Sequence, residues 1–315
     1  MSSFSAVLDT RPLILDGGFA TELEARGHDL RDDLWSARLL RDDPQAIVDV
    51  HRAYFAAGAD VAITASYHAT VEGFARFGIA EDEAKSLIRA SVELARQALD
   101  EAGRGGLVAG SVGPYGVVWA NGSEYRGDYS EASDDEIART QRTRMVELVA
   151  AGADLLAIET IPNGREAAIV GELLEEFPDT EAFISFCCTS DHALSDGTAI
   201  ADAVRAATRS GRAVAVGVNC TPPQHIDALL AAMRTATDLP LVVYPNWGRV
   251  WDADTYTWSG AGVDAFAPEL VERWQAAGAR ALGGCCGIGP GAIAQIADTL
   301  RNGPARAAGL VPAPE

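Results

Sequence analysis

Residues 57–67 read AGADVAITASY, and the same join returns as AGADLLAIET at 151–160 and, altered, as AAGARALGGCC at 276–286. In each, a glycine closes a helix-patterned segment, where it can take the left-handed conformation that ends a helix. A short, nearly unbroken apolar run follows. Runs of this kind suit parallel strands covered on both faces rather than half-exposed ones. Working outward, the other apolar runs are PLILDGG (12–18), GLVAGSVGP (106–114), EAFISFCC (181–188), AVAVGVNC (213–220) and LPLVVYPN (239–246), which with DVAITASY (60–67), DLLAIET (154–160) and ARALGGCC (279–286) makes eight. Amphipathic segments at 45–57, 81–102, 134–151, 163–176, 198–209, 222–236, 265–277 and 290–301 follow them. Eight alternations of strand and helix predict an α/β chain folded as a (β/α)8 TIM barrel. The rival, an open doubly wound sheet, lacks its signature, because LDGGFATELE after the first strand is not a GxGxxG turn.

Composition limits what such a barrel does. The 315 residues, 48% of them hydrophobic, suffice for one barrel-sized domain, expected over 1–315. A formal charge of −20 disfavours nucleic acid as a partner. No apolar stretch reaches the roughly 18 residues that span a bilayer, and the N-terminal residues lack a basic segment followed by a long apolar one, so no membrane partner is expected and the cytoplasm is the expected location. Five cysteines, an odd and sparse set, argue against a disulfide framework. The oligomeric state is not legible.

A barrel carries its site at the C-terminal ends of its strands. Asp16, Ser66, Glu159, Cys220, Asn246, Cys285 and Cys286 fall there. The sixth and eighth strands have one neighbour between them, so Cys220 and the Cys285–Cys286 pair can face one axial pocket. Three thiolates with an open fourth position form a zinc site, and glycines 283, 284 and 287 give the backbone the freedom to turn adjacent side chains to one centre. Two other readings stay open on spacing alone: buried apolar cysteines, or a vicinal disulfide. The second doublet, Cys187 and Cys188, reads as packing, since adjacent residues on a strand point to opposite faces.

The motifs LDGGFATELEARGHDL (15–30), LWSARLL (34–40), GADVAITASYHAT (58–70), SVGPYG (111–116), GSEYRGDY (122–129), ETIPNGREA (159–167), GVNCTPP (217–223), YPNWG (244–248) and GGCCGIGP (283–290) together resemble the zinc-dependent homocysteine S-methyltransferases, in particular the branch using S-methylmethionine or S-adenosylmethionine. The resemblance runs from about residue 11 to 302. It implies zinc on Cys220, Cys285 and Cys286, and a homocysteine ammonium held by Asp16 and Glu159. It implies methyl transfer from a sulfonium donor to homocysteine, forming methionine. The backbone N–H groups of Gly17 and Gly18 are candidates for the amino-acid carboxylate, and Ser66 and Asn219 are further candidate substrate contacts.

The loops after strands two, three and seven carry Tyr67, Tyr115, Trp119, Tyr125, Tyr129, Trp247, Trp251, Tyr256 and Trp258. Their faces suit a sulfonium cation; lid packing or a subunit contact explains the same residues. The sequence departs from the family pattern at three places: His68 stands for the Gln of SYQAT, and Trp247 and Arg249 for the Ser and Glu of YPNSGE. These put the donor in question more than the reaction. Betaine is the alternative donor, and a non-catalytic zinc-storing or redox-sensing barrel is the alternative outside enzymes.

Overall fold

The computed structural model describes residues 3–30, 34–248, 250–252, 257–259, 262 and 266–302. Eight parallel strands form its centre: β1 (Leu13–Ile14), β2 (Val61–Ile63), β3 (Leu107–Val112), β4 (Leu155–Ile161), β5 (Glu181–Phe186), β6 (Ala215–Asn219), β7 (Leu241–Tyr244) and, after a two-stranded antiparallel hairpin of β8 (Val250–Asp252) and β9 (Thr257–Ser259), β10 (Ala279–Leu282). They pair in the order β1-β10-β7-β6-β5-β4-β3-β2. The ring closes between its ends, where Leu15 bridges Val61 and the Asp16 N–H donates to Val61 O at 3.1 Å. The expected barrel is therefore the observed one, with all eight predicted runs supplying its strands.

The joins work as their residues dictate. Gly58, Gly152 and Gly278 all have positive φ, at 107°, 85° and 101°, which a side chain would resist. The aspartates that follow act as well. Asp60 accepts the Ile14 N–H at 3.0 Å, and Asp154 accepts the Val108 N–H at 2.7 Å, so each ties the start of its own strand to a neighbour. Helix starts are capped by side chains: Asp43 accepts the Ala46 N–H ahead of helix Pro44–Ala57, and Ser133 and Glu136 form a capping box ahead of Asp134–Ala150.

Alternation along the strands sorts side chains between two cores. One set packs between the strands and the helices. The other fills the barrel, with Leu13, Leu15, Val61, Leu107, Ala109, Leu155, Ala157, Phe183, Ala215, Val242 and Ala281. Its lower end is stopped by a short helix, Phe4–Leu8, that the sequence pattern does not announce; Phe4 stacks on Phe183 with ring centroids 5.8 Å apart. One step further along the same inward positions, the layer becomes polar: Ser111, Glu159, Ser185 and Asn219, all buried. That change of chemistry within one parity marks the floor of a site.

One buried group makes the fold acid-sensitive. His51 on helix Pro44–Ala57 is 0% exposed, neither ring nitrogen has a hydrogen-bond partner, and burial lowers its pKa to about 3. The folded value lies below the unfolded one of 6.5, so its neutral form favours folding fully above that value and the contribution is lost as pH falls toward 3. Between about pH 7 and pH 5, His51→Leu is expected to lose about 2 kcal/mol less stability than the parent, at about 1.4 kcal/mol per pH unit below 6.5. Urea unfolding at the two pH values checks this; equal losses in both proteins would remove His51 from the account.

Candidate functional site

Above the polar layer a cavity opens at the C-terminal ends of the strands, lined among others by Asp16, Glu159, Cys220, Cys285 and Cys286. The three cysteine sulfurs lie within 4.8 Å of one another, and among the described residues this is the group of metal-ligating side chains that gathers so closely. Cys286 Sγ is 3.9 Å from both Cys220 Sγ and Cys285 Sγ. Tetrahedral thiolates about 2.3 Å from one ion stand roughly 3.8 Å apart, so these two edges already match. The third differs, because Cys220 and Cys285 are joined as a disulfide. One bond within the triad is not a disulfide framework, and the pair is not the vicinal one weighed from the sequence. Sulfurs gathered tightly enough to share an ion are also near enough to bond. Burial pushes the free Cys286 thiol up to about 12, so a nearby cation is needed to hold it as thiolate. The set suits a soft metal ion, provided that the disulfide is reduced.

Cys188 is buried in the outer core, and its N–H donates to Thr221 Oγ1. Cys187 is buried with its sulfur 3.7 Å from the Cys220 carbonyl oxygen. Neither joins the triad.

The same cavity also carries two acids. Asp16 and Glu159 are 3% and 6% exposed, and burial raises both carboxyls above the usual carboxylate range, most strongly for Asp16, where Glu159 adds to the effect. Glu159 accepts from Ser111 Oγ at 2.5 Å and from the Tyr244 hydroxyl at 3.1 Å. Asp16 accepts the Ile63 N–H at 2.8 Å. Two buried carboxyls that ionise reluctantly form a receptor for a cation, which relieves both.

Other expected residues occupy different places. Gly17 and Gly18 line the cavity, but the Gly18 N–H donates to Ile288 O at 2.8 Å, so it is not free to hold a carboxylate in this arrangement. Its lack of a side chain matters for packing: a Cβ there would lie 2.6 Å from Cys285 O. Ser66 is fully buried and donates to Ser111 O at 2.7 Å. Asn219 is fully buried and bonded to Thr160 and Ser185. Neither lines the cavity. Asn246 donates to the Cys220 carbonyl at 3.1 Å, bracing one member of the cysteine triad.

The loop aromatics divide into two groups. Tyr67 and Tyr125 line the cavity, together with His68, whose ring meets Tyr67 edge-on at 4.7 Å. Burial, with Arg144 nearby, lowers His68 to about 3, so this departure from the family pattern presents a neutral ring. Tyr115, Trp119 and Tyr129 instead pack on each other, with centroids 5.3 to 6.0 Å apart, as a cluster away from the cavity lining. Trp247 rests against Gly287, and its backbone N–H donates to Cys286 O at 3.1 Å. Arg249 and Tyr256 lie outside the described residues, as do the side chains of Trp251 and Trp258.

Sequence reasoning missed Tyr244 and Arg144. Tyr244 had a signal, its inward parity at the end of β7. Arg144 had none: mid-helix and 1% exposed, it donates to the carbonyls of Ser66, Tyr67 and Gly113 and so fastens the ends of β2 and β3 together.

The family model described as homocysteine S-methyltransferase matches residues 13–300. The chain belongs to the homocysteine S-methyltransferase family. Among its relatives, homocysteine S-methyltransferase YbgG of Bacillus subtilis (strain 168) is 46% identical over 312 residues, covering 96% of this chain and 99% of the relative. Of solved structures, the homocysteine methyltransferase MmuM from Escherichia coli in its oxidised form superimposes with a TM-score of 0.84 at 44% identity, covering 94% of this chain and 99% of the other. The metallated form of that protein gives 0.82 at 45% identity, covering 92% and 97%. Among the described residues no helix of this homocysteine S-methyltransferase family member is long and apolar enough to cross a membrane.

Proposed function

We propose that this chain, acting as one barrel domain, transfers a methyl group from a sulfonium donor to homocysteine, forming methionine, with zinc held by Cys220, Cys285 and Cys286. The observation that carries the reading is one cavity lined by both a cysteine triad and a buried acid pair. Homocysteine offers a thiol to the first and an ammonium to the second. The metallated form of the Escherichia coli relative supports a metal here, and the all-sulfur donor set favours zinc.

Zinc, when bound, supplies the positive charge that lets a thiol near pKa 8.5 react as thiolate at neutral pH. The chain's own residues do the rest. Asp16 and Glu159 take the ammonium, with Ser111 and Tyr244 fixing Glu159. Tyr67 and Tyr125 offer aromatic faces to the donor cation, each face contributing roughly 0.5 to 2 kcal/mol. A lone pair of the homocysteine sulfur forms the new carbon–sulfur bond as the methyl carbon leaves the donor sulfonium, whose bonding pair returns to its sulfur. Thiolate and sulfonium become two neutral thioethers. The largely apolar lining of the pocket favours this loss of charge. Cysteines that must be reduced to hold a metal favour the cytoplasm as the location.

Among donors, S-methylmethionine is expected to exceed S-adenosylmethionine, since no glycine-rich nucleotide loop is present, and betaine is expected to be poorest because it lacks the α-amino-acid group. Steady-state kcat/KM for the three donors at saturating homocysteine tests this, with S-methylmethionine at least ~10-fold above betaine, about 1.4 kcal/mol and on the scale of one hydrogen bond lost with the α-amino-acid group. A preference for betaine overturns the sulfonium reading. Metal retained and released on oxidation, with no methyl transferred from any donor, would favour the non-catalytic barrel.

A further inference from the structure

Glu159 and Thr160 are consecutive on β4, yet both line the cavity, although neighbours on a regular strand face opposite sides. The ladder shows how. Ile158 pairs with Ile184 and Ile161 with Phe186, so Glu159 and Thr160 together stand opposite Ser185 alone. This is a β-bulge, a device that re-aims side chains beside sites. Thr160 takes φ 64°, a left-handed conformation that a β-branched residue resists. Such strain persists only where the surroundings impose it.

The imposing group is Asn219 on β6, reaching across β5. Its Oδ1 accepts the Thr160 N–H at 2.8 Å and the Ser185 hydroxyl at 2.8 Å, and its Nδ2 donates to Thr160 Oγ1 at 2.7 Å. Asn219 is fully buried, and its side-chain bonds go to Thr160 in the bulge and to Ser185 opposite it. The peptide between Glu159 and Thr160 is thereby fixed in orientation, and with it the direction of the Glu159 carboxylate toward Ser111 and Tyr244.

We infer that Asn219 is a positioning residue for the acceptor: by clamping the strained bulge it aims Glu159 at the homocysteine ammonium, without touching substrate itself. The inference rests on the role of Glu159 given under Proposed function.

The test is a set of variants read by KM for homocysteine, kcat and bound metal. Asn219→Ala is expected to raise KM for homocysteine ~30-fold with kcat within ~3-fold of the parent and metal retained, the pattern of lost binding common to ground and transition states. Glycine adopts positive φ freely, so Thr160→Gly placed on Asn219→Ala is expected to recover KM to within ~5-fold of the parent. A purely structural loss would instead deepen with added glycine. Thr160→Val, which removes the hydroxyl but keeps the strain, serves if Asn219→Ala does not fold: it should raise KM for homocysteine several-fold more than Thr160→Gly does. Equal losses in those two variants would mean that Thr160 Oγ1 meets substrate directly and would overturn the proposal, as would an unchanged KM in Asn219→Ala or metal loss that Thr160→Gly does not rescue. Glu159→Gln measured alongside separates the failures: if it too leaves KM unchanged, the reading of Glu159 has failed; if it alone raises KM, only the clamp has.

Discussion

Cys220→Ser, Cys285→Ser and Cys286→Ser are each expected to lose bound zinc and, with it, at least ~1000-fold in methionine formation, because both the reactive thiolate fraction and its placement depend on the metal. The sulfurs are equivalent in this respect: each of the two 3.9 Å edges already fits a tetrahedral site, and removing any corner leaves two donors for a metal that prefers three from the protein. The joined Cys220 and Cys285 add a condition. Protein carrying that bond is expected to take up metal only after a thiol reductant has opened it. Cys187→Ser and Cys188→Ser, whose residues lie outside the triad, should keep their metal. Elemental analysis of reduced protein gives the result without relying on turnover. Full zinc occupancy in Cys220→Ser would remove the site as described.

Asp16→Asn and Glu159→Gln are expected to keep zinc and fold while losing about 1.5 to 3 kcal/mol of homocysteine binding each, the range for hydrogen bonds to charged groups, or roughly 10- to 150-fold in affinity. Burial raises both carboxyls, so neutral isosteres are not costly to the empty fold, and the loss should show in substrate binding rather than in stability. The two losses should fall short of additive, since the acids would face one cation and Glu159 adds to the shift of Asp16. Calorimetric titration of metal-loaded protein with homocysteine measures this directly. A variant that lost zinc but bound homocysteine as before would reverse the assignment.

The comparison of sequence with structure follows the range over which each interaction acts. The joins at 57–60, 151–154 and 276–279 were legible because a left-handed glycine and the apolar run behind it are local facts. The cysteine triad was legible as well, because barrel topology places the ends of the sixth and eighth strands near each other whatever the intervening loops do. The aromatic loops were only half legible. Tyr67 and Tyr125 line the cavity while Tyr115, Trp119 and Tyr129 pack together, and nothing in their spacing distinguishes the two groups.

By itself the sequence determined the eight alternations, the strand ends that carry Asp16, Glu159 and the cysteines, and the family to which those motifs belong. Periodicity and turn chemistry act within a few residues and are written in order along the chain. Only the tertiary structure decided that Asn219 clamps Thr160 across an intervening strand, that Gly18 gives its N–H to Ile288, that Arg144 fastens two strand ends through their carbonyls, and that Cys220 pairs with Cys285. Each of these joins residues tens of positions or more apart. A buried polar group must bond whatever the closed barrel sets beside it, and no local pattern records which neighbour that is.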